Sequence, residues 1–303
     1  MRFSVWPSFE RPWSEVVELA TWADRAGMLG VWYADHLMPN TEDGTPADGD
    51  AFECWSVLAA LGSITSNVRL GSLVSPVTFH HPVVLAKRAT TVDHVSGGRA
   101  VLGLGAGWQV NEHAAIGVDL PPPGPRVDRF AEAIEIIARV RDEHRVTTGG
   151  SHFVATDLPF SPKPVQQPMP LLVGTKGTRM LRLTARYADE WNTWGDPDVI
   201  ADATREFEVA CEREGRDPAS VHRSAQALVF LATDDAAAER LRGVVPAGRS
   251  IVGTASELVD VFGRYAGLGL DEFIVPDFTL GGDAAARLDT FARLADEVFG
   301  AIG

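Results

Sequence analysis

The sequence predicts an α/β chain folded as one (β/α)8 barrel, on three observations. About eight short strand-like segments recur, nearly every one followed by a stretch of helical periodicity. The continuous apolar run at residues 100–104 belongs to a strand buried on both faces, the pattern of a parallel sheet. No linker of domain-boundary composition interrupts the alternation, and 303 residues suit a single large barrel spanning 1–303. The eighth repeat favours a closed barrel over an open doubly wound sheet.

Residues 2–6 form the first strand, and residues 12–26 carry Val16, Leu19, Ala20 and Ala23 at helical spacing before Gly27 stops them. Residues 31–34 are the second strand, ending in Asp35-His36. The following segment, 39–50, is rich in Gly, Pro, Asp and Thr and reads as a mobile loop over a strand exit. A helix over 53–65, a third strand at 68–72 and a helix from Pro82 to residue 95 come next, with proline at a first helical position. The fourth strand runs into the glycines at 103, 105 and 107. A proline cluster at 121–125 precedes an amphipathic helix with Phe130, Ala133, Ile134 and Ile137 on one face.

Residues 144–170, polar and without sustained periodicity, read as an irregular insertion between strands four and five with room for a short hairpin. The fifth strand is expected at 171–173, the sixth at 190–193, the seventh at 225–232 and the eighth at 272–275. Thr254-x-x-Glu257 is a capping box for a helix ending near Gly267, and Leu288, Phe291, Ala295 and Val298 mark the last helix.

Composition excludes several roles. A formal charge of −14 argues against a nucleic-acid or anionic-membrane partner and leaves a small-molecule substrate. Cys54 and Cys211, far apart and in apparent helices, suggest neither a disulfide framework nor a zinc site. The first residues lack the apolar core of a signal peptide, and no stretch approaches about 18 uninterrupted apolar residues. A cytoplasmic protein is expected.

In a (β/α)8 barrel the chemistry gathers at the C-terminal ends of the strands. His36 stands at such an end and is the expected proton donor or acceptor, because imidazole titrates near neutral pH. Its alternative is a histidine bonded under the following loop. Gly174-Thr175-Lys176-Gly177 opens a helix, where free backbone N–H groups, the positive dipole end and the Lys176 charge favour a phosphate. Phe79, Trp108 and Trp194 offer apolar walls for a flat ring. The run Gly103-x-Gly105-x-x ends on Trp108, so it is not a dinucleotide fingerprint. No metal is expected: His36, His80 and His81 are scattered, and no His-Glu-x-x-His occurs.

Four of these strand exits, taken in order, resemble the bacterial luciferase-like barrels, in particular their branch dependent on the deazaflavin coenzyme F420. They are Val31-Trp32-Tyr33-Ala34-Asp35-His36-Leu37, Ser75-Pro76 through His81-Pro82, Gly105-Ala106-Gly107-Trp108 with Asn111-Glu112, and Gly174 to Arg179 leading to Ala188-Asp189-Glu190-Trp191-Asn192. The resemblance implies coenzyme F420, or alternatively flavin mononucleotide (FMN), as cofactor. Asp35 and Ser75 would contact the ring, Ala106, Gly107 and Asn111 the ribityl and phosphate part, and Lys176 and Gly177 the same part from the fifth strand's exit. It further implies a non-prolyl cis peptide at Ser72-Leu73 that pushes the backbone against the ring, and a homodimer.

The activity implied is hydride transfer between carbon five of the deazaflavin and a small organic substrate. Two alternatives stay open: an FMN-dependent monooxygenase of the same superfamily, and a non-catalytic flavin- or deazaflavin-binding protein. Trp108 stands where the family's sugar-phosphate dehydrogenases place a catalytic glutamate, and Gly195-Asp196 where a phosphate-holding lysine would be, so glucose 6-phosphate is not the expected substrate. Glu112 reads equally well as a solvent-facing residue on the next turn.

Overall fold

A computed structural model describes residues 1–302 of the chain. Eight parallel strands form the barrel: β1 (Arg2–Trp6), β2 (Gly30–Tyr33), β3 (Arg69–Ser72), β4 (Ala100–Gly105), β5 (Leu171–Gly174), β6 (Glu190–Trp194), β7 (His222–Gln226) and β8 (Glu272–Pro276). Each pairs with its sequence neighbour, β1 pairs with β8 from Arg2↔Glu272 to Trp6↔Pro276, and each strand is therefore held on both sides. No edge is left open.

Around the barrel run α1 (Trp13–Arg25), α2 (Cys54–Ile64), α3 (Pro82–Ser96), α4 (Val110–Ala115), α5 (Pro123–Asp142), α6 (Thr178–Tyr187), α7 (Pro197–Glu214), α8 (Asp235–Arg242), α9 (Ala255–Gly267) and α10 (Ala284–Glu297). Their starts follow from the sequence: His81 caps α3 by accepting from the Val83 N–H, Asp196 caps α7, and Thr254 and Glu257 close the predicted box on α9. No helix among the described residues is long and apolar enough to cross a membrane.

Alternation along the strands sorts the side chains into two cores. Phe3, Val31, Leu70 and Phe273 belong to the large cluster shared with the helices, whereas Trp6, Trp32, Leu73, Val101, Leu172 and Ile274 make a small separate one inside the barrel. The rest of that interior is polar: Asn192 donates to Ser224 Oγ at 2.9 Å and to Gln226 Oε1 at 2.7 Å.

The seventh strand corrects the expectation. It is His222–Gln226, and the apolar Leu228–Leu231 leaves the barrel to pair in parallel with Ser250–Gly253. The physical reason is that polar interior: Ser224 and Gln226 point inward to Asn192, so the true strand lacks the apolar signature that its successor carries. The insertion at 144–170 contains the anticipated hairpin, Arg145–Gly149 against Val154–Pro159. It packs against α3 and α5, with Gln166 bonded to Asp93 and to the Ala100 carbonyl, and Lys163 to the Val140 carbonyl.

Candidate active site

The C-terminal ends of the strands surround a cavity of about 850 Å³, within the range of small-molecule and cofactor sites. Its walls include Trp6, Phe9, Leu73, Val74, Trp108, Trp194 and Phe278, and its polar groups include His36, Glu112, Thr175, Lys176 and Arg249. No residue of the 144–170 insertion reaches it.

His36 follows the end of β2, with its ring between Phe9 and Trp108, each at a centroid distance of 5.5 Å. Its Nδ1 lies 3.1 Å from Glu112 Oε1, and the other Glu112 oxygen accepts the Leu37 N–H at 3.0 Å. The carboxylate is buried, at 1% exposure, so of the two readings left open for Glu112 the solvent-facing one is not observed. Helical side chains lean toward the N-terminus of their helix, and Glu112 in the first turn of α4 leans back over the barrel mouth. A carboxylate accepting from Nδ1–H assigns the tautomer that leaves Nε2 as a free acceptor.

Asp35 and Ser75 come together, but behind the wall. Ser75 Oγ donates to Asp35 Oδ2 at 2.5 Å, His80 Nε2 lies 2.9 Å from the same oxygen, and Trp55 Nε1 donates to Ser75 Oγ at 3.0 Å. Both residues are buried and neither lines the cavity. They brace the exits of β2 and β3. Ser72 braces too: its hydroxyl donates to the Gly103 carbonyl at 2.9 Å and accepts the Gly103 N–H at 3.1 Å. Phe79, expected as a wall, packs on His80 and His113 instead.

The non-prolyl cis peptide is Leu73–Val74, one residue beyond the expected Ser72–Leu73, and both of its residues line the cavity. The glycines of β4 leave room for the neighbouring segment 72–74. A Cβ at Gly103 would stand 1.9 Å from the Ser72 carbonyl oxygen, so no other residue fits there. Gly107 has φ +87°, and a Cβ on it would meet Thr78 Oγ1 at 2.5 Å. Ala106, Gly107 and Trp108 form the wall beyond.

Thr175 and Lys176 line the cavity, while Gly177 sits behind them as the N-cap of α6. Burial, and secondarily the positive charge of Arg249, lower the Lys176 pKa from its ordinary value. Neither cation has an acidic partner among the described residues. Asn111 does not reach the cavity: it is buried in α4 with its amide donating to the Pro39 carbonyl at 2.8 Å.

The three histidines weighed against a metal stay apart in their bonding, His36 to Glu112, His80 to Asp35 and His81 as a helix cap. A different group, Glu190, His222 and Glu272, brings ligand atoms within 4.8 Å of one another at the opposite end of the barrel. Arg69 contacts both of these carboxylates, so the group is an internally neutralised ion-pair network.

The sequence model of the Luciferase-like monooxygenase family matches residues 1–268. The chain belongs to that family. It is 30% identical over 217 residues to an F420-dependent hydroxymycolic acid dehydrogenase of Mycobacterium tuberculosis, covering 71% of this chain and 59% of the relative. It is 33% identical over 192 residues to an F420-dependent glucose-6-phosphate dehydrogenase of Microbacterium testaceum, covering 62% and 55%. The chain thus spans less than two thirds of the length of these curated relatives. The same barrel appears in solved structures: an F420-dependent secondary alcohol dehydrogenase (TM-score 0.83, 19% identity, both chains wholly covered) and the monooxygenase RslO1 from Streptomyces bottropensis (TM-score 0.82, 20% identity, both wholly covered).

Proposed function

We propose that this luciferase-like chain is a coenzyme F420-dependent oxidoreductase acting on a hydroxyl- or carbonyl-bearing organic substrate. The observation that carries the reading is His36, fixed by buried Glu112 with Nε2 left free on the wall of an aromatic-lined cavity. The cavity fits the cofactor's class: apolar faces for a flat ring, glycine backbone at 105 and 107, and Lys176, without an acidic partner among the described residues, for an anionic tail. When bound, the deazaflavin supplies the hydride acceptor or donor at carbon five.

The protein's own part is position and proton transfer. With Nδ1–H held by Glu112, Nε2 takes the hydroxyl proton of an alcohol as its carbon–hydrogen bonding pair departs; in the reducing direction the imidazolium returns that proton to the carbonyl oxygen. Glu112 stabilises the imidazolium in either case. Ala106, Gly107 and Thr175 would border the cofactor's ribityl and phosphate part, with Leu73, Val74 and Trp108 against or beside the ring.

Relatives at 30% and 33% identity are named for F420, whereas the monooxygenase is matched at 20% through its fold, which favours the deazaflavin over FMN. The test is a panel of secondary alcohols with oxidised F420 and of ketones with reduced F420, followed by the visible absorbance of the cofactor. Bleaching or recovery that depends on enzyme and substrate is expected. A chain that binds F420 yet passes no hydride to or from any member would contradict the reading.

A further inference from the structure

Four consecutive residues at the exit of β2 are each tied to the segment 109–112. His36 Nδ1 and the Leu37 N–H go to the two oxygens of Glu112, the Met38 carbonyl accepts from Gln109 Nε2 at 2.9 Å, and the Pro39 carbonyl accepts from Asn111 Nδ2 at 2.8 Å. Beyond Pro39 the chain enters the 40–53 loop, which has no helix or strand. The four bonds therefore stand where an irregular loop would otherwise pass its motion to His36.

The segment making the bonds is itself anchored. His113 bonds the Gln109 carbonyl through Nδ1 and Thr78 Oγ1 through Nε2, both at 2.6 Å, and Arg126 donates to the Gly107 carbonyl at 2.8 Å. Gln109 and Asn111 are buried to 1% and 0% exposure. Asn111 Oδ1 has no hydrogen-bond partner, and such a half-satisfied buried amide costs stability that an apolar residue of similar size would avoid. What the amide contributes in return is its donor to Pro39.

We infer that Gln109 and Asn111 are positioning residues for His36: they fix the backbone at 38–39 so that the imidazole stays in register with Glu112, and they isolate it from the loop beyond. The inference rests on the proposed role of His36, and concerns Gln109 acting through Met38 and Asn111 through Pro39.

The test replaces each donor by an isosteric acceptor in the double variant Gln109→Glu/Asn111→Asp of the full chain. With ¹⁵N-labelled histidine, wild type should show a hydrogen-bonded Nδ1–H resonance that vanishes in His36→Asn and is thereby assigned. The folded double variant should lose that resonance to solvent exchange. A resonance that persists unchanged in the folded double variant, or the absence of any His36-dependent resonance in wild type, would overturn the inference.

Should the double variant fail to fold, hydrogen–deuterium exchange on wild type decides. The Leu37 backbone amide, held by Glu112, should exchange far more slowly than the amides of 41–48, and equal rates would overturn the clamp. Titration with F420 is run alongside: absent binding defeats the deazaflavin reading and leaves the clamp result standing, whereas retained binding with an unaltered resonance defeats only the clamp.

Discussion

The two ends of this barrel use similar residues to opposite effect. At the N-terminal end, Arg69 pairs with both Glu190 and Glu272, His222 pairs with Glu272, and Trp32 Nε1 donates to Glu272 at 2.7 Å. At the C-terminal end, among the described residues, His36 keeps one nitrogen unpaired and Lys176 and Arg249 form no ion pair with an acid. Neutralised charge closes the first end, whereas uncompensated polar groups around an aromatic cavity make the second a place for a ligand. The difference lies in whether each charge finds its partner within the chain.

Replacing one group at a time should separate the two ends. The largest effect is expected at the open end, where His36→Asn lowers the rate of hydride transfer by about 10²- to 10⁴-fold, the usual range for a lost general acid or base, with F420 binding retained. Stopped-flow absorbance of the cofactor checks it, and full turnover would remove His36 from the mechanism.

At the closed end, Arg69→Met should destabilise the fold by about 3 kcal/mol, because it strips a partner from two buried carboxylates, and should leave cofactor affinity at wild type. Urea melts and a parallel binding titration read both numbers. An equal loss of affinity in the folded variant would mean that the ends are not independent.

A smaller effect is expected from Lys176→Ala, which should weaken F420 binding by about tenfold, the scale of one lost charged hydrogen bond. Isothermal titration at two salt concentrations checks it, since the loss should shrink as salt rises.

The smallest effect is a pH dependence of the closed end. Burial opposes the charge on His222, but the hydrogen bond to Glu272 and the charge of Glu190 outweigh it, and the folded pKa is raised above 6.5. Such a group contributes stability that is full below its unfolded pKa of 6.5 and lost as pH climbs through the raised value. The melting temperature should therefore decline over that window, and His222→Gln should flatten the decline.

The fold was legible where a residue's job is local. Apolar strands such as β4, the capping box on α9 and the order of strand and helix all declare themselves in short windows. The seventh strand did not, because Ser224 and Gln226 face polar partners inside the barrel and so carry no apolar alternation. At the site, His36, Trp108, Thr175 and Lys176 could be placed on the cavity from their positions at strand ends. Asp35, Ser72, Ser75 and Asn111 lie at the same ends, but they bond neighbours in the wall, Asn111 through its amide N–H alone, a choice of partner that depends on three-dimensional contacts. Glu112 was left open between the site and solvent, and a carboxylate in the first turn of a helix leaving a glycine exit was too weak a signal to decide it.

The most direct test of the account is a tryptophan-fluorescence titration with oxidised F420 and, side by side, with FMN. Trp6, Trp108 and Trp194 line the cavity, so a ring bound there must quench them. The account predicts saturable quenching by the deazaflavin at micromolar concentrations and little by FMN. A preference for FMN, or no response to either, would contradict it.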